Sequence, residues 1–407
     1  MAGEALIVSS FTTDEPSLRE TTSSKVLQIV DKGYVRKAEP RTRHATLTYP
    51  TVTALSNGCL LATLRCGSTK DCADETTELF ESRDGGRTWR QRPFPAPTVV
   101  NGIRGSARGC HITEIEPGHL LGAIMWVDRE AYPGKPLFNP KTEGCLPMEI
   151  VLSDSYDFGE TWSEWRVVPM PAEIGPPSIT TAIMELKDGT LALSIETNKT
   201  YEGSSTWHQK VVLFHSTDKG RTWGRAVIAG CDPTGRIFNW DQRAGVSPDG
   251  RIAAFIWTYD TATNTYLNIH RRISSDGGHT WSQAEDLGFA DQAGHPAILP
   301  DGRVVLPYVD RFNTQCIRAR WAADAAAPFD RETEVVVYAH QTASPKGAQT
   351  GNTGAALVEM GVWSYGLPYA EALPDGDVIV VYYAGSSEAM DACWARLRLP
   401  PKTIRGD

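Results

Sequence analysis

One short pattern, Ser-x-Asp-x-Gly-x-Thr-Trp, occurs four times along this 407-residue chain: at Ser82–Trp89, Ser155–Trp162, Ser216–Trp223 and Ser274–Trp281. A degenerate fifth copy spans Ala322–Phe329 and keeps Asp324 and a closing aromatic. A repeat constrains a fold tightly, because each copy marks one supersecondary unit that cannot bury its apolar surface alone. Each residue type in the pattern has a task. Asp accepts hydrogen bonds from backbone N–H groups of its own turn, and Gly takes a backbone conformation that a Cβ would oppose. The aromatic buries itself between neighbouring sheets.

A second repeat runs out of phase with the first. Asn57-Gly58, Pro117-Gly118, Asp188-Gly189, Asp249-Gly250, Asp301-Gly302 and Asp375-Gly376 are tight-turn signals flanked by apolar, strand-like residues. They read as hairpins. Each unit is then four antiparallel strands: an inner strand running to the Gly turn, a second strand leaving it, a variable loop, a third strand entering the Asp motif, and an outer strand leaving its Trp. Six such units bury both faces by stacking around an axis. The expected fold is all-β: one six-bladed β-propeller of four-stranded antiparallel blades spanning 1–407. Asp391–Leu397 supplies the third strand of the last blade. Its missing outer strand is expected from the N-terminus, from Lys25–Val30 or Ala5–Ser9, which closes the ring and removes a free edge. Residues 12–24, rich in Thr, Ser and Glu, read as a surface lead-in.

Composition narrows the class of partner. Hydrophobic residues at 41% and charged residues at 22% describe a soluble globular chain. No apolar run approaches the ~20 residues of a membrane span, and the first residues lack the basic and apolar regions of a signal peptide. Eight scattered Cys without a Cys-x-x-Cys motif read as reduced thiols, so a cytoplasmic protein is expected. A net charge of −9 argues against nucleic acid as the main partner. No pair of His or Cys stands at ligand spacing on one strand, so no metal and no cofactor are expected. The Asp-Gly loops lack the additional carboxylates of a calcium loop.

The Asp motifs together with the hairpin turns resemble the sialidase (neuraminidase) superfamily of Asp-box propellers, over nearly the whole chain. The resemblance implies that Asp84, Asp157, Asp218 and Asp276 are structural and lie away from the active site. It further implies an arginine triad for a substrate carboxylate, an Asp acid/base in the first loop after the second strand, and a Tyr nucleophile on the last inner strand. Asp71 and Asp74 fall in that loop. The other two features depart from the pattern. The family's first Arg stands two residues before a Pro; here Pro50 aligns and Thr48 holds the Arg position. The Tyr position aligns with Leu367, with Tyr365 and Tyr369 two residues to either side.

One rim of such a ring is built from the starts of the inner strands and the loops after the second strands. The loops are expected to present Arg65, Lys70, Asp71 and Asp74, then Trp126, Asp128 and Arg129, then Glu196, Asn198 and Lys199. Later loops add Trp257, Tyr259 and Asp260, then Asp310 and Arg311, then Tyr382 and Tyr383. The inner strands add Arg108, His111, Trp240, Asp241, Gln242, Arg243, Gln292 and His295, and His270 can reach the same rim. Guanidinium forks match carboxylates, and aromatic faces suit sugar rings. Paired carboxyls split into acid and base when their environments differ. The expected partner is therefore an acidic oligosaccharide.

Three readings follow. In the first, a terminal glycosidic bond of an acidic sugar is hydrolysed. Asp74 or Asp71 is the acid, and Tyr369, Glu371 or Asp241 acts at the anomeric centre. Arg65, Arg108, Arg129, Arg243 and Arg311 bind the carboxylate, with Trp257, Tyr259, His270 and Gln292 around the ring. In the second, a uronic acid undergoes β-elimination, with His111 beside Arg108, or Tyr259 beside His270, as the proton-moving set. In the third, the rim binds a glycan without catalysis. Against each stands a structural alternative: Trp240 and Trp257 as packing aromatics, a rim Arg pairing with Asp128, Asp241, Asp260 or Asp310, and His111 or His295 as hydrogen-bonded core histidines.

Overall fold

The computed structural model describes residues 25–341 and 350–402; the Ala5–Ser9 candidate strand and the 12–24 lead-in lie outside them. The chain is nearly all β, with one α-helix among the described residues, Thr353–Val362. Its strands form successive antiparallel meanders. The first runs Thr46–Ala54, Leu60–Gly67, Thr76–Ser82, Arg90–Arg92, and the second Ile103–Glu116, His119–Asp128, Met148–Ser155, Arg166–Val167. The third is Met184–Glu185, Leu191–Glu196, Lys210–Ser216, Val227–Cys231, and the fourth Ile237–Val246, Ile252–Asp260, His270–Ser274, Glu285–Asp286. In the fifth the inner strand is broken into Gln292–Ala293 and Ala297–Ile298, both paired with Val304–Asp310, and Cys316–Ala322 and Val335–Ala339 follow.

The last meander begins Tyr365–Ala372, Val378–Gly385, Met390–Arg398 and is completed by Gln28–Arg36, antiparallel to Met390–Arg398. The closing strand therefore starts later and runs further than Lys25–Val30. It was hard to read because it is an outer strand, mostly exposed, without a regular apolar alternation. A single parallel pair, Thr46↔Met390, joins the last and first meanders.

Burial explains why the second strands read as unbroken apolar runs. Ile252–Asp260 is buried at every position, since neighbouring sheets cover both faces. Separate apolar clusters lie between each consecutive pair of meanders, and one joins the last to the first, so the packing closes on itself. These second strands are also longer than expected: Arg65, Trp126, Asp128, Glu196, Trp257, Tyr259, Asp260, Asp310, Tyr382 and Tyr383 stand on strands, not on the loops that follow.

The four Ser-x-Asp-x-Gly-x-Thr-Trp turns share one hydrogen-bond set. In the fourth, Ser274 Oγ donates to Asp276 Oδ1 at 2.8 Å, the Thr280 N–H to the same oxygen at 2.9 Å, and Thr280 Oγ1 to Oδ2 at 2.6 Å. Gly278 sits at φ 89°, and a Cβ there would stand 2.5 Å from Leu213 Cδ1. Asp84, Asp157 and Asp218 repeat the arrangement, and Asp324 still accepts from the N–H groups of Ala326 and Ala327.

Candidate active site

The inner strands carry bulges at matching places. Register breaks fall at Thr48/Thr51, Ala107/Cys110, Trp240/Arg243 and Gly366/Tyr369. Within them Tyr49 (φ 53°), Gly109 (φ 84°), Asp241 (φ 45°) and Leu367 (φ 46°) take left-handed conformations. A bulge re-aims the side chains beside it, and here it turns Tyr49, Arg108, Asp241 and Leu367 into one cavity of ≈ 150 Å³. The ends of the second strands add Arg65, Glu196, Trp257 and Tyr383 to its wall. None of the four motif Asp residues lines it.

The helix Thr353–Val362 covers the cavity, contributing Leu357 and Met360, with Trp363 just beyond its end. Asn352 caps it: its side chain accepts the Ala355 N–H at 2.8 Å. Lys70 secures the other end, donating from Nζ to the carbonyls of Met360 (2.6 Å) and Trp363 (2.8 Å) and to the Tyr383 hydroxyl (2.9 Å). A cation suits the carbonyl end of a helix. Burial, then repulsion from Arg311, Arg65 and Arg108, holds the Lys70 amine well below its ordinary pKa. Trp207, Trp240, Trp257 and Trp363 give the cavity an aromatic side.

The opposite side is cationic. Arg65 donates from Nε to Thr48 Oγ1 at 2.9 Å and from Nη2 to the Lys70 carbonyl at 2.9 Å. Arg108 donates from Nη1 to Glu75 at 2.9 Å and Asp71 at 3.2 Å. Glu75 also holds Arg129 at 2.7 Å. Among the described residues, Arg65 Nη1 and Arg108 Nε and Nη2 have no protein acceptor. Burial, then Arg108, lowers the Arg65 pKa. For Arg108 burial acts the same way, but Glu75 and Asp71 outweigh it and hold its pKa up. Thr48 faces Arg65 across the strand pair: where the resembled family has its first Arg, this chain has a Thr that orients an Arg from the adjacent strand.

Two carboxyls complete the wall. Glu196 Oε1 accepts the Thr180 hydroxyl and the Gln242 N–H, both at 2.9 Å. Burial first, then the nearby Asp241, holds the Glu196 carboxyl well above the ordinary carboxylate range. Asp241 Oδ2 accepts from Gln292 Nε2 at 2.6 Å, and Oδ1 lies 3.5 Å from Arg243 Nη2. The site thus sets a carboxyl held above its ordinary range beside a second one gripped by donors.

The expected site residues separate into groups. Arg65, Arg108, Asp241, Trp257 and Gln292 line the cavity together. Arg243 and Arg311 are 3% and 1% exposed and sit behind its wall. Asp71 and Arg129 border a neighbouring cavity of ≈ 300 Å³. For Asp71 burial is outweighed by Arg108, the Leu137 N–H and Arg129, which lower its pKa and suit it to an ion pair, not to proton donation. Asp74 is exposed, bonded to Ser68 Oγ at 2.9 Å, and lines neither cavity.

The other expected residues face elsewhere. His111 is buried between Tyr49 and Tyr369, and its ring nitrogens lack partners among the described residues. Burial, then Arg243, lowers its pKa to about 3. Tyr369 stacks on His295 at 3.9 Å, away from the cavity wall. The Tyr259 hydroxyl shares a hydrogen bond with the Thr350 hydroxyl at 2.8 Å, and His270 stands opposite Ile256 and Asp286 in the sheet. The pairs His111/Arg108 and Tyr259/His270 therefore do not meet in the cavity. Sequence reasoning missed Glu75, Trp207 and the capping helix, and it gave Glu196 a place on the rim but no role. The signal for Glu196 was there: an acidic residue closes the apolar run Leu191–Ile195.

The structural comparisons agree with this architecture. A protein of unknown function from Dyadobacter fermentans superposes with a TM-score of 0.68 at 20% identity, over 92% of this chain and 99% of its own. The intramolecular trans-sialidase of Ruminococcus gnavus gives 0.59 at 14% identity over 91% and 98%. The fold is sialidase-like. An α-L-arabinanase from Penicillium chrysogenum gives 0.59 at 16% identity, again over 91% and 98%, so the likeness is not confined to sialidases and concerns the fold alone. No protein-family model matches the chain, and no curated protein sequence matches it. No helix among the described residues is long and apolar enough to cross a membrane.

Proposed function

We propose that the chain is a single six-bladed propeller that hydrolyses a terminal glycosidic bond of an acidic sugar. The observation that carries this reading is the Glu196–Asp241 pair: two carboxyls in one cavity, of which Glu196 is held above the ordinary carboxylate range by burial and then by Asp241, while Asp241 accepts from Gln292 and lies beside Arg243. Glu196 gives its proton to the glycosidic oxygen as the C–O bond breaks and that oxygen takes the bonding electrons. Asp241 receives a proton from the water whose oxygen bonds the anomeric carbon, so one water is added across the two products. The open edges of Arg65 and Arg108 suit the substrate carboxylate, and the tryptophan side suits the ring faces. A net charge of −9 disfavours nucleic acid. All eight cysteines are free, in keeping with a cytoplasmic place.

The test is a panel of sialosides and uronate-ended oligosaccharides, with products read by mass. Hydrolysis with loss of turnover in Asp241→Asn is expected. An unsaturated product without added water makes the protein a lyase, and binding without any product makes it a lectin-like propeller.

A further inference from the structure

Arg311 was expected to grip the substrate, yet it lies behind the cavity wall. It is 1% exposed, stacks on Trp363 at 3.9 Å, and has no carboxylate within ion-pair reach among the described residues. Its Nη1 donates to the Tyr365 carbonyl at 3.0 Å and its Nη2 to Gln292 Oε1 at 2.9 Å. Gln292 in turn donates from Nε2 to Asp241 Oδ2 at 2.6 Å. An amide has one accepting and one donating end. A permanent cation on the oxygen fixes which end faces Asp241, and it polarises the N–H that does so.

We infer that Gln292 is a positioning residue: through the Arg311–Gln292–Asp241 hydrogen-bond chain it relays the buried Arg311 charge to Asp241 and so favours the anionic form of that carboxyl. The inference rests on the carboxyl-pair reading above. Gln292 lines the cavity and spends both ends of its amide on protein partners. Other charged and titratable groups also face Asp241: Glu196, Arg243 at 3.5 Å, Tyr49, Lys70 and Tyr383. Around Arg311 stand Asp291, Asp310, Lys70, His340 and Tyr383. Among the described residues, Arg243 is the cation within ion-pair distance of Asp241. Its Nη1 is bound to the Thr180 carbonyl, and the 2.6 Å Gln292 bond is the shorter of the two contacts.

Deprotonation of the pair can be followed without a substrate, because Trp240 and Trp257 line the same cavity. Tryptophan fluorescence is titrated in the wild type and in Asp241→Asn; the step lost in that variant belongs to Asp241. In Gln292→Leu the step should move to higher pH by on the order of one unit, a tenfold gain in proton affinity, since a bond to the anion is gone. Gln292→Glu keeps the side-chain volume and can still meet Arg311, but it brings a second anion to Asp241, and its step should move at least as far up. Both should lower kcat more than they raise KM. A step that stays at the wild-type pH in both variants overturns the inference while leaving the carboxyl pair standing. Absence of any step that Asp241→Asn removes overturns the pair, and this inference with it.

Discussion

Replacing Glu196 by Gln separates chemistry from folding. The Glu196 oxygen that accepts from Thr180 and Gln242 can be matched by the amide oxygen of the replacement, with the NH2 towards the cavity, so both 2.9 Å bonds survive. The proton donor does not. General acid catalysis contributes about 10²–10⁴-fold, or ~3–5 kcal/mol of barrier, and kcat should fall by that factor with KM nearly unchanged. The same variant changes stability against pH. The Glu196 pKa is raised in the folded state by burial and by Asp241. Its contribution to stability is therefore fully present below the unfolded value of ~4.3 and is lost as pH rises towards the folded value, at up to ~1.4 kcal/mol per pH unit. Asp291, raised to about 7, and Glu371, raised to about 8, both mainly by burial, add slopes of the same sign that the variant keeps. Urea melts of both proteins at ~pH 5, ~6 and ~7 isolate the Glu196 share as the difference in slope. The assay for turnover is release of an aryl alcohol from aryl glycosides of neuraminic and uronic acids. Full turnover in Glu196→Gln, or parallel slopes in the melts, would falsify the assignment of Glu196 as a buried acid.

Two further predictions concern other parts of the chain. Asp276→Asn should lower the melting temperature and leave kcat/KM within about twofold, because Asp276 bonds only its own turn; a variant that melts like the parent but is inactive would mean the turns reach the active site. Arg65→Ala should raise KM for an acidic substrate by roughly tenfold or more, whereas Asp74→Asn, which touches Ser68 and not the cavity, should behave as wild type. Equal KM in Arg65→Ala and wild type would remove the carboxylate-binding role, and loss of kcat in Asp74→Asn would return the acid to the first loop.

The repeats alone were enough to specify an all-β chain of stacked meanders. Turn glycines and motif aspartates act within a few residues of themselves, so their chemistry is legible locally. Strand extent was less legible. Trp257 and Tyr259 read as loop residues because polar neighbours interrupt the apolar run, while the adjacent sheets bury them regardless. The closing strand Gln28–Arg36 carries no apolar stripe, since an outer strand needs none.

The site itself was decided by tertiary structure. Arg65, Asp241, Trp257 and Gln292 could be nominated from type and place, but whether an Arg faces a cavity or stands behind it depends on bulges whose geometry no local pattern announces. Arg311 and Gln292 form one unit only because two strands of the same sheet converge at their ends. Glu196 becomes an acid only through burial beside Asp241, a residue of the next sheet. Sequence determined which side chains were present and the repeat that carries them. Electrostatic roles came from distances between sheets, because a pKa is set by the groups that surround it in space and not by those that precede it in the chain.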